Sequence, residues 1–262
     1  MRSSSRNAII KNKFMEVHHH SHKPKNWKEY ITEFIMLFTA VTLGFFAENQ
    51  REHYVERHRE LQYMESLMED LAKDKYDIGE CNKFTITQIG YIDTAIALLS
   101  ENKWTPENIK KIYRASLKVS GNRPSTFIDR TSSQLRSGGM RLIEDKKVAT
   151  LITEYWQLIA QLNKFETVTI HEYKMNVKNM TYKIFDGTKY LDAKNKIIED
   201  DASLMTYDNN ILKEYNNRLL NLNYDLKAFL LQYFYKELDN KIDELQNEIA
   251  SKYHINVEKS SK

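Results

Sequence analysis

Glycine and proline are scarce, 7 and 3 in 262 residues. So few breakers exclude a loop-rich chain and leave long helices joined by few turns. Cysteine occurs once, at Cys81, which rules out an intramolecular disulfide and leaves both oxidising and reducing compartments open. The helical register around Cys81 favours a structural thiol over a reactive one. An excess of one charge is missing too: 39 basic against 36 acidic side chains leave +3, which gives no general footprint for nucleic acid. No metal-ligand spacing, nucleophile elbow or phosphate loop is found, and His171 and Glu172 stand without recognisable partners, so neither a cofactor nor catalysis is expected. What remains is 41% hydrophobic and 29% charged residues, the mixture of amphipathic helices. The expected fold class is all-α, with an N-terminal transmembrane helix continuous with the long helix of an elongated antiparallel helical bundle or coiled-coil domain.

One run departs from this mixture. Residues 34–47, FIMLFTAVTLGFFA, carry no charge, and with residues 30–33 they approach the roughly 17 residues needed to cross a bilayer. Trp27 and Tyr30 at one edge and Phe45 and Phe46 at the other match the placement of aromatic rings at membrane interfaces. A segment apolar on every side does not suit an interfacial helix. Its long basic n-region and the lack of a small-x-small pair at Phe45 and Ala47 favour retention over cleavage. Lys11, Lys13, Lys23, Lys25 and Lys28 precede the run closely, against Arg51, Arg57 and Arg59 after it, which orients the N-terminus inside. The expected organisation is a basic, histidine-rich cytoplasmic tail over 1–29, a transmembrane helix over 30–47, an extracytoplasmic helical domain over 48–255 and a frayed tail over 256–262. In a bacterial cell that places the protein in the inner membrane with its main domain in the periplasm.

Glu33 lies one turn inside the apolar run, where a carboxylate either snorkels to the interface or meets a polar group on a neighbouring transmembrane helix. It is the candidate partner contact within the bilayer. His18, His19, His20 and His22 define no coordination geometry and are read as a solvated flank.

Beyond the anchor, Leu61, Met64, Met68, Leu71 and Ile78, then Ile89, Ile92, Ile96 and Leu99, keep one spacing of three and four residues. Lys75, Asn82 and Thr85 weaken the stripe midway, and Gly79 and Gly90 allow bending. A helix is therefore expected to leave the membrane and run to about residue 100. Thr105, Pro106 and Glu107 mark a second helix, to about Val119. A loop at 121–124 precedes a short helix over 126–137, stopped by Gly138 and Gly139. Val148, Ile152, Tyr155, Ile159 and Leu162 mark a helix over 144–185, with a bend near 167–170 where β-branched residues cluster. Residues 187–207 lack a clean period and are expected to be a loop. Asp208 caps a final helix whose stripe Tyr215, Leu219, Leu222, Leu226, Phe229 and Tyr233 is offset from Leu238, Ile242, Leu245 and Ile249, implying a phase change near Lys236.

Leu67, Asp70 and Leu71 close a stretch that starts at Glu16, and Leu135, Ser137, Gly138, Gly139, Leu142 and Ile143 lie within a second over 131–156. Together they resemble a family of uncharacterised membrane-anchored proteins of Bacteroidota. In that family an N-terminal hydrophobic helix runs into a charged helix ending in an LxxDL-like segment, and a Leu-x-Ser-Gly-Gly/Asn-x-x-Leu-Ile motif follows about midway. The resemblance covers about a third of the chain and brings no activity with it. It also implies that Met15 begins the native chain.

The glycine motif has a structural reading, a helix stop that returns Leu142 and Ile143 to the core. It has a functional one as well: Arg123, Arg130, Arg136 and Arg141 surround a turn at Gly138 and Gly139 that binds an anion or an acidic partner surface. The function expected first is a non-catalytic membrane-anchored interaction or scaffold protein, pairing through its helices with a protein partner or with itself. The alternative is a periplasmic helical sensor or ligand-binding domain, distinguished by a pocket lined with convergent polar groups.

Overall fold

The computed structural model describes residues 26–195, 198–199 and 201–255. The histidine tract, Met15, the lysines before residue 26 and the tail over 256–262 lie outside the described residues. The described part is all-α, with no strand. It divides into two compact units between Tyr54 and Val55.

The first unit is the beginning of helix α1 (Trp27–Glu101), and every described residue in it is exposed. Phe34, Ile35, Met36, Leu37 and Phe38 are consecutive and each more than half exposed. Five residues cover more than one turn, so the helix is apolar on all sides rather than on one face. It is long and apolar enough to cross a membrane. Glu33 is exposed on this helix.

The second unit is a helical bundle. From Glu60 onward α1 buries Met64, Leu67, Met68, Leu71, Ile78, Cys81, Ile89, Ile92, Ala95 and Leu99. Gly79 and Gly90 face open space and do not interrupt it. Helix α2 (Pro106–Val119) starts where Thr105 accepts from Asn108 N and Pro106 occupies the first turn. Residues 121–129 are irregular, and the expected helix there is shorter than its pattern, α3 (Arg130–Arg136). A 3₁₀ turn (Gly139–Leu142) leads to α4 (Lys146–Lys164), capped by Asp145.

At the expected bend the chain does not break. It widens into a π-helical segment (Phe165–Ile170) and continues as α5 (His171–Ile184). The expected loop over 187–207 holds a further helix, α6 (Gly187–Lys194). Asp186 caps it, and Tyr190 and Ala193 turn inward, Tyr190 meeting Tyr113 and Phe185 edge to face. Two inward residues give too short a pattern to be visible as periodicity.

Asp208 caps α7 (Asn209–Asp225), which passes through a second π-helical segment (Leu226–Tyr235) into α8 (Lys236–Tyr253). The phase change lies within this π segment, ahead of Lys236. Leu222, Leu226, Leu230, Phe234, Leu238 and Ile242 are all buried at a spacing of four, while Phe229 and Tyr233 are exposed. Spacing of four drifts around an α-helix, but wider π turns with i to i+5 bonding keep these residues inward.

Cross-helix pairs fix the directions. Glu60 meets Tyr253, Lys75 meets Asp239 and Asp243, and Asp93 meets Lys227 and Asn223, so α1 runs antiparallel to α7 and α8. Lys252 with Asp145, Lys147 with Glu248 and Lys241 with Glu154 set α4 antiparallel to α8.

Candidate ligand-binding cleft

The irregular segment after α2 has no neighbouring strand to satisfy its backbone, and buried amides without partners are costly. Side chains of the helices do the work instead. Gln88 donates its amide to Val119 O and Gly121 O, both at 2.8 Å. Glu166 accepts from Ser125 N at 3.1 Å and Ser125 Oγ at 2.8 Å. Asp77 accepts from Thr126 N at 3.1 Å, Asp74 from Ile128 N at 2.8 Å, and Asp70 from Thr131 N at 3.2 Å and Thr131 Oγ1 at 2.5 Å. Glu60 accepts from Glu144 N at 2.8 Å. Four acidic side chains of α1 thus form a ladder that holds down the chain over 126–144.

This ladder joins the middle of α1 to the chain that follows Thr126. Asp70 holds Thr131, and Tyr63 lies close to Gly139. Ser132 accepts from Trp156 Nε1 at 2.8 Å. Gly138, at φ 136°, makes the turn.

Three of the four arginines grouped by sequence are engaged by carboxylates. Arg123 meets Asp77 at 3.3 Å. Arg130 meets Asp70 at 2.9 Å and Glu69 at 3.2 Å. Arg136 pairs with Asp129 and lies 5.0 Å over the Trp156 ring. Arg141 is exposed. Of these residues Arg123 lines a cleft whose lining does not include Arg130, Arg136, Arg141, Gly138 or Gly139.

That cleft has a volume of about 470 Å³ and is formed by the irregular segment, the middle of α1 and both π-helical segments. Such a volume suits a small molecule, and π-helical turns recur at functional sites. Phe84, Ile170, Leu226 and Leu230 give apolar wall, while Asn122, Arg123, Asn163, His171, Lys174 and Lys178 supply polar groups. The α4 and α5 contribution recurs at three and four residues, Asn163, Glu166, Thr167, Ile170, Lys174 and Lys178, because these share one helix face.

Glu166 is occupied: Tyr235 Oη, donating at 3.2 Å, joins the two bonds from Ser125. Burial and the charge of Glu166 push the Tyr235 phenol upward, so it stays a donor. Glu166 therefore bolts the irregular segment to both π segments. Lys174 differs. Its Nζ donates to Gly121 O at 2.9 Å and lies 3.4 Å from Asn122 Oδ1, so among the described residues both hydrogen-bond partners are neutral. Burial pulls its ammonium down to about 8, with Glu166 opposing the fall. Behind the cleft, the Cys81 thiol is fully buried and raised by burial, the state of a packed side chain rather than a nucleophile.

Sequence reasoning missed Lys174, Lys178 and the acidic ladder. Their signals are acidic residues lodged inside the apolar seam of α1 and cations on the α5 face that follows the β-branched cluster. Among the described residues no group of three or more His, Cys, Asp or Glu side chains is placed to hold a metal ion. No family model matches the chain, and no curated protein or solved structure matches it.

Proposed function

We propose that this chain is a membrane-anchored, non-catalytic helical ligand-binding protein of the bacterial inner membrane, with its tail cytoplasmic and its bundle in the periplasm. The observation that carries the reading is the cleft, where polar groups from four separate segments line one cavity with a partly desolvated lysine held by neutral oxygens. The all-round apolar start of α1 supports the anchor, and the lysines before it support the direction. A non-catalytic role is supported by Glu166, whose oxygens are held by Ser125 and Tyr235 and are not poised as a base.

The test is native mass spectrometry of the intact protein released from membranes in gentle detergent, alongside the cleft-filling variant Met175→Trp. A small molecule that accompanies the native chain and is lost from the folded variant supports the reading. Absence of any adduct, together with no thermal stabilisation across a chemically mixed ligand panel, overturns it.

A scaffold role keeps one observation of its own. Tyr224, at the end of α7, and Phe229 and Tyr233, within the second π segment, are exposed at 65%, 41% and 45%, with Tyr224 and Phe229 in ring contact. Aromatic side chains grouped in this way are typical anchors of protein contacts. A stoichiometric protein partner, captured with the intact chain and lost with Tyr224→Ser and Phe229→Ser, would favour that role over the cleft.

A further inference from the structure

The net charge of the cleft narrows what it can hold. Arg123, Lys174 and Lys178 line it with Glu166, and Asp77 stands on Arg123 at 3.3 Å. Among the lysine, arginine and carboxylate groups, three cations against two carboxylates leave a single positive charge. One of those carboxylates, Glu166, already accepts three hydrogen bonds. Lys174 is the cation whose hydrogen-bond partners among the described residues are only neutral oxygens, one a backbone carbonyl and one an amide. An ammonium has three donors, and a partly desolvated one gains most from an opposite charge. Phe84, Ile170, Leu226 and Leu230 add hydrocarbon to the cavity wall.

Building on the ligand-binding reading, we infer that the cleft takes a small organic monocarboxylate, its carboxylate on Lys174 and Arg123 and its apolar remainder on Phe84, Ile170, Leu226 and Leu230. A phosphate dianion would exceed the single positive charge and face Glu166. A neutral ligand would leave Lys174 as it is. The ligand's carboxylate adds a charged acceptor to Lys174, and an ion pair in a partly dry site is far stronger than one in water.

Binding should also depend on pH. Burial leaves Lys174 titrating at about 8, so affinity falls as pH rises through that value. The groups that share the cleft with it are Glu166, His171 and Lys178 on its own continuous helix, Arg123 from the irregular segment, Asp77 from α1 paired with Arg123, and Tyr235 from the second π segment. Asp77 is held below the usual carboxylate range and Tyr235 is raised, so neither changes charge near pH 8.

The experiment is calorimetric titration of the intact protein in nanodiscs with hexanoate, hexanamide, hexylammonium and inorganic phosphate. Hexanoate is expected to bind one to one. Lys174→Met should weaken it at least tenfold, Lys174→Arg should restore most of the loss, and Lys194→Met, on the exposed α6 surface, should change nothing. Circular dichroism checks that each variant is folded, and Met175→Trp blocks the cleft if Lys174→Met does not fold. Hexanoate binding that survives both Lys174→Met and Arg123→Gln, or tighter binding of hexanamide or phosphate, overturns the carboxylate assignment while leaving a ligand-binding cleft in place. Failure of all four probes with the native chain overturns the assignment too, and whether the cleft binds anything then rests on the adduct experiment.

Discussion

Asp74 is 2% exposed in the middle of the acidic ladder. Burial pushes its carboxyl up to about 6, although Tyr155 Oη donates at 2.6 Å and Ile128 N at 2.8 Å, and the charges of Asp70 and Asp77 add to the rise. An unfolded aspartate titrates near about 3.9, so folding strengthens proton binding at this residue. Its contribution to stability is therefore complete below the unfolded value and is lost as pH rises through about 6. Two pKa units set an upper limit of roughly 3 kcal/mol. Asp74→Asn cannot ionise and keeps one oxygen for the Ile128 N–H, while the Tyr155 hydroxyl, whose partner is the other oxygen, can turn to accept from the new amide nitrogen, so the variant is expected to gain on the native protein between pH 4 and pH 7.5 in urea unfolding. A difference that stays flat across that window would remove Asp74 from the pH response. Asp70 behaves differently, because Thr131, fully buried, gives it both a backbone and a hydroxyl hydrogen. Asp70→Ala orphans those donors and should cost roughly 2–4 kcal/mol, whereas Arg141→Ala, on the exposed face of the same turn, should stay within about 0.5 kcal/mol by the same assay.

Elements explain why two pairs of glycines respond oppositely. Gly138 has φ 136°, a conformation that strains any side chain however open the space. A Cβ at Gly139 would lie 3.1 Å from Gln134 O and 3.2 Å from Leu135 Cδ2. Alanine at either position is expected to lower stability by roughly 1–3 kcal/mol. Gly79 and Gly90 stand in mid-helix with open space around them. Alanine there should raise stability by roughly 0.5–1 kcal/mol each, since it limits the unfolded chain and favours the helix. Thermal melts of the four single variants check both signs. The turn itself was legible in the sequence, as were the capped start of α2 and the apolar seam of α1, because each depends on residues close together in the chain. The ladder was not, since Glu60, Asp74 and Asp77 meet partners 46 to 193 residues away, and an acid inside a helix pattern ordinarily reads as a solvent face. The second π segment was half legible. Its phase change is in the sequence, but the inward set Leu230 and Phe234 is visible only once the turns are known to be wide. The cleft draws on four separated segments, so no local pattern could announce it.

For the whole molecule, the decisive contrast is between two units with opposite relations to water. The bundle puts its apolar residues inside, and the start of α1 puts every apolar residue outside. Exposed apolar surface of that extent carries roughly 25 cal/mol for each Å², a penalty that lipid removes and water does not. A chain limited to residues 55–255 keeps Glu60, the ladder, the cleft and the whole buried core. It is expected to fold without detergent, to show cooperative unfolding and to bind hexanoate as tightly as the intact protein. The intact protein should stay with the membrane through an alkaline carbonate wash, as spanning helices do and peripheral ones do not. Release of the intact chain by the wash would deny the anchor without touching the bundle. A truncated chain that aggregates or melts without cooperativity would show the reverse, that the first unit stabilises the second. Glu33→Gln refines the anchor test: if Glu33 meets a polar group on another helix, the variant in nanodiscs should dissociate more readily than the native protein in single-molecule photobleaching, whereas a carboxylate reaching the interface predicts no change.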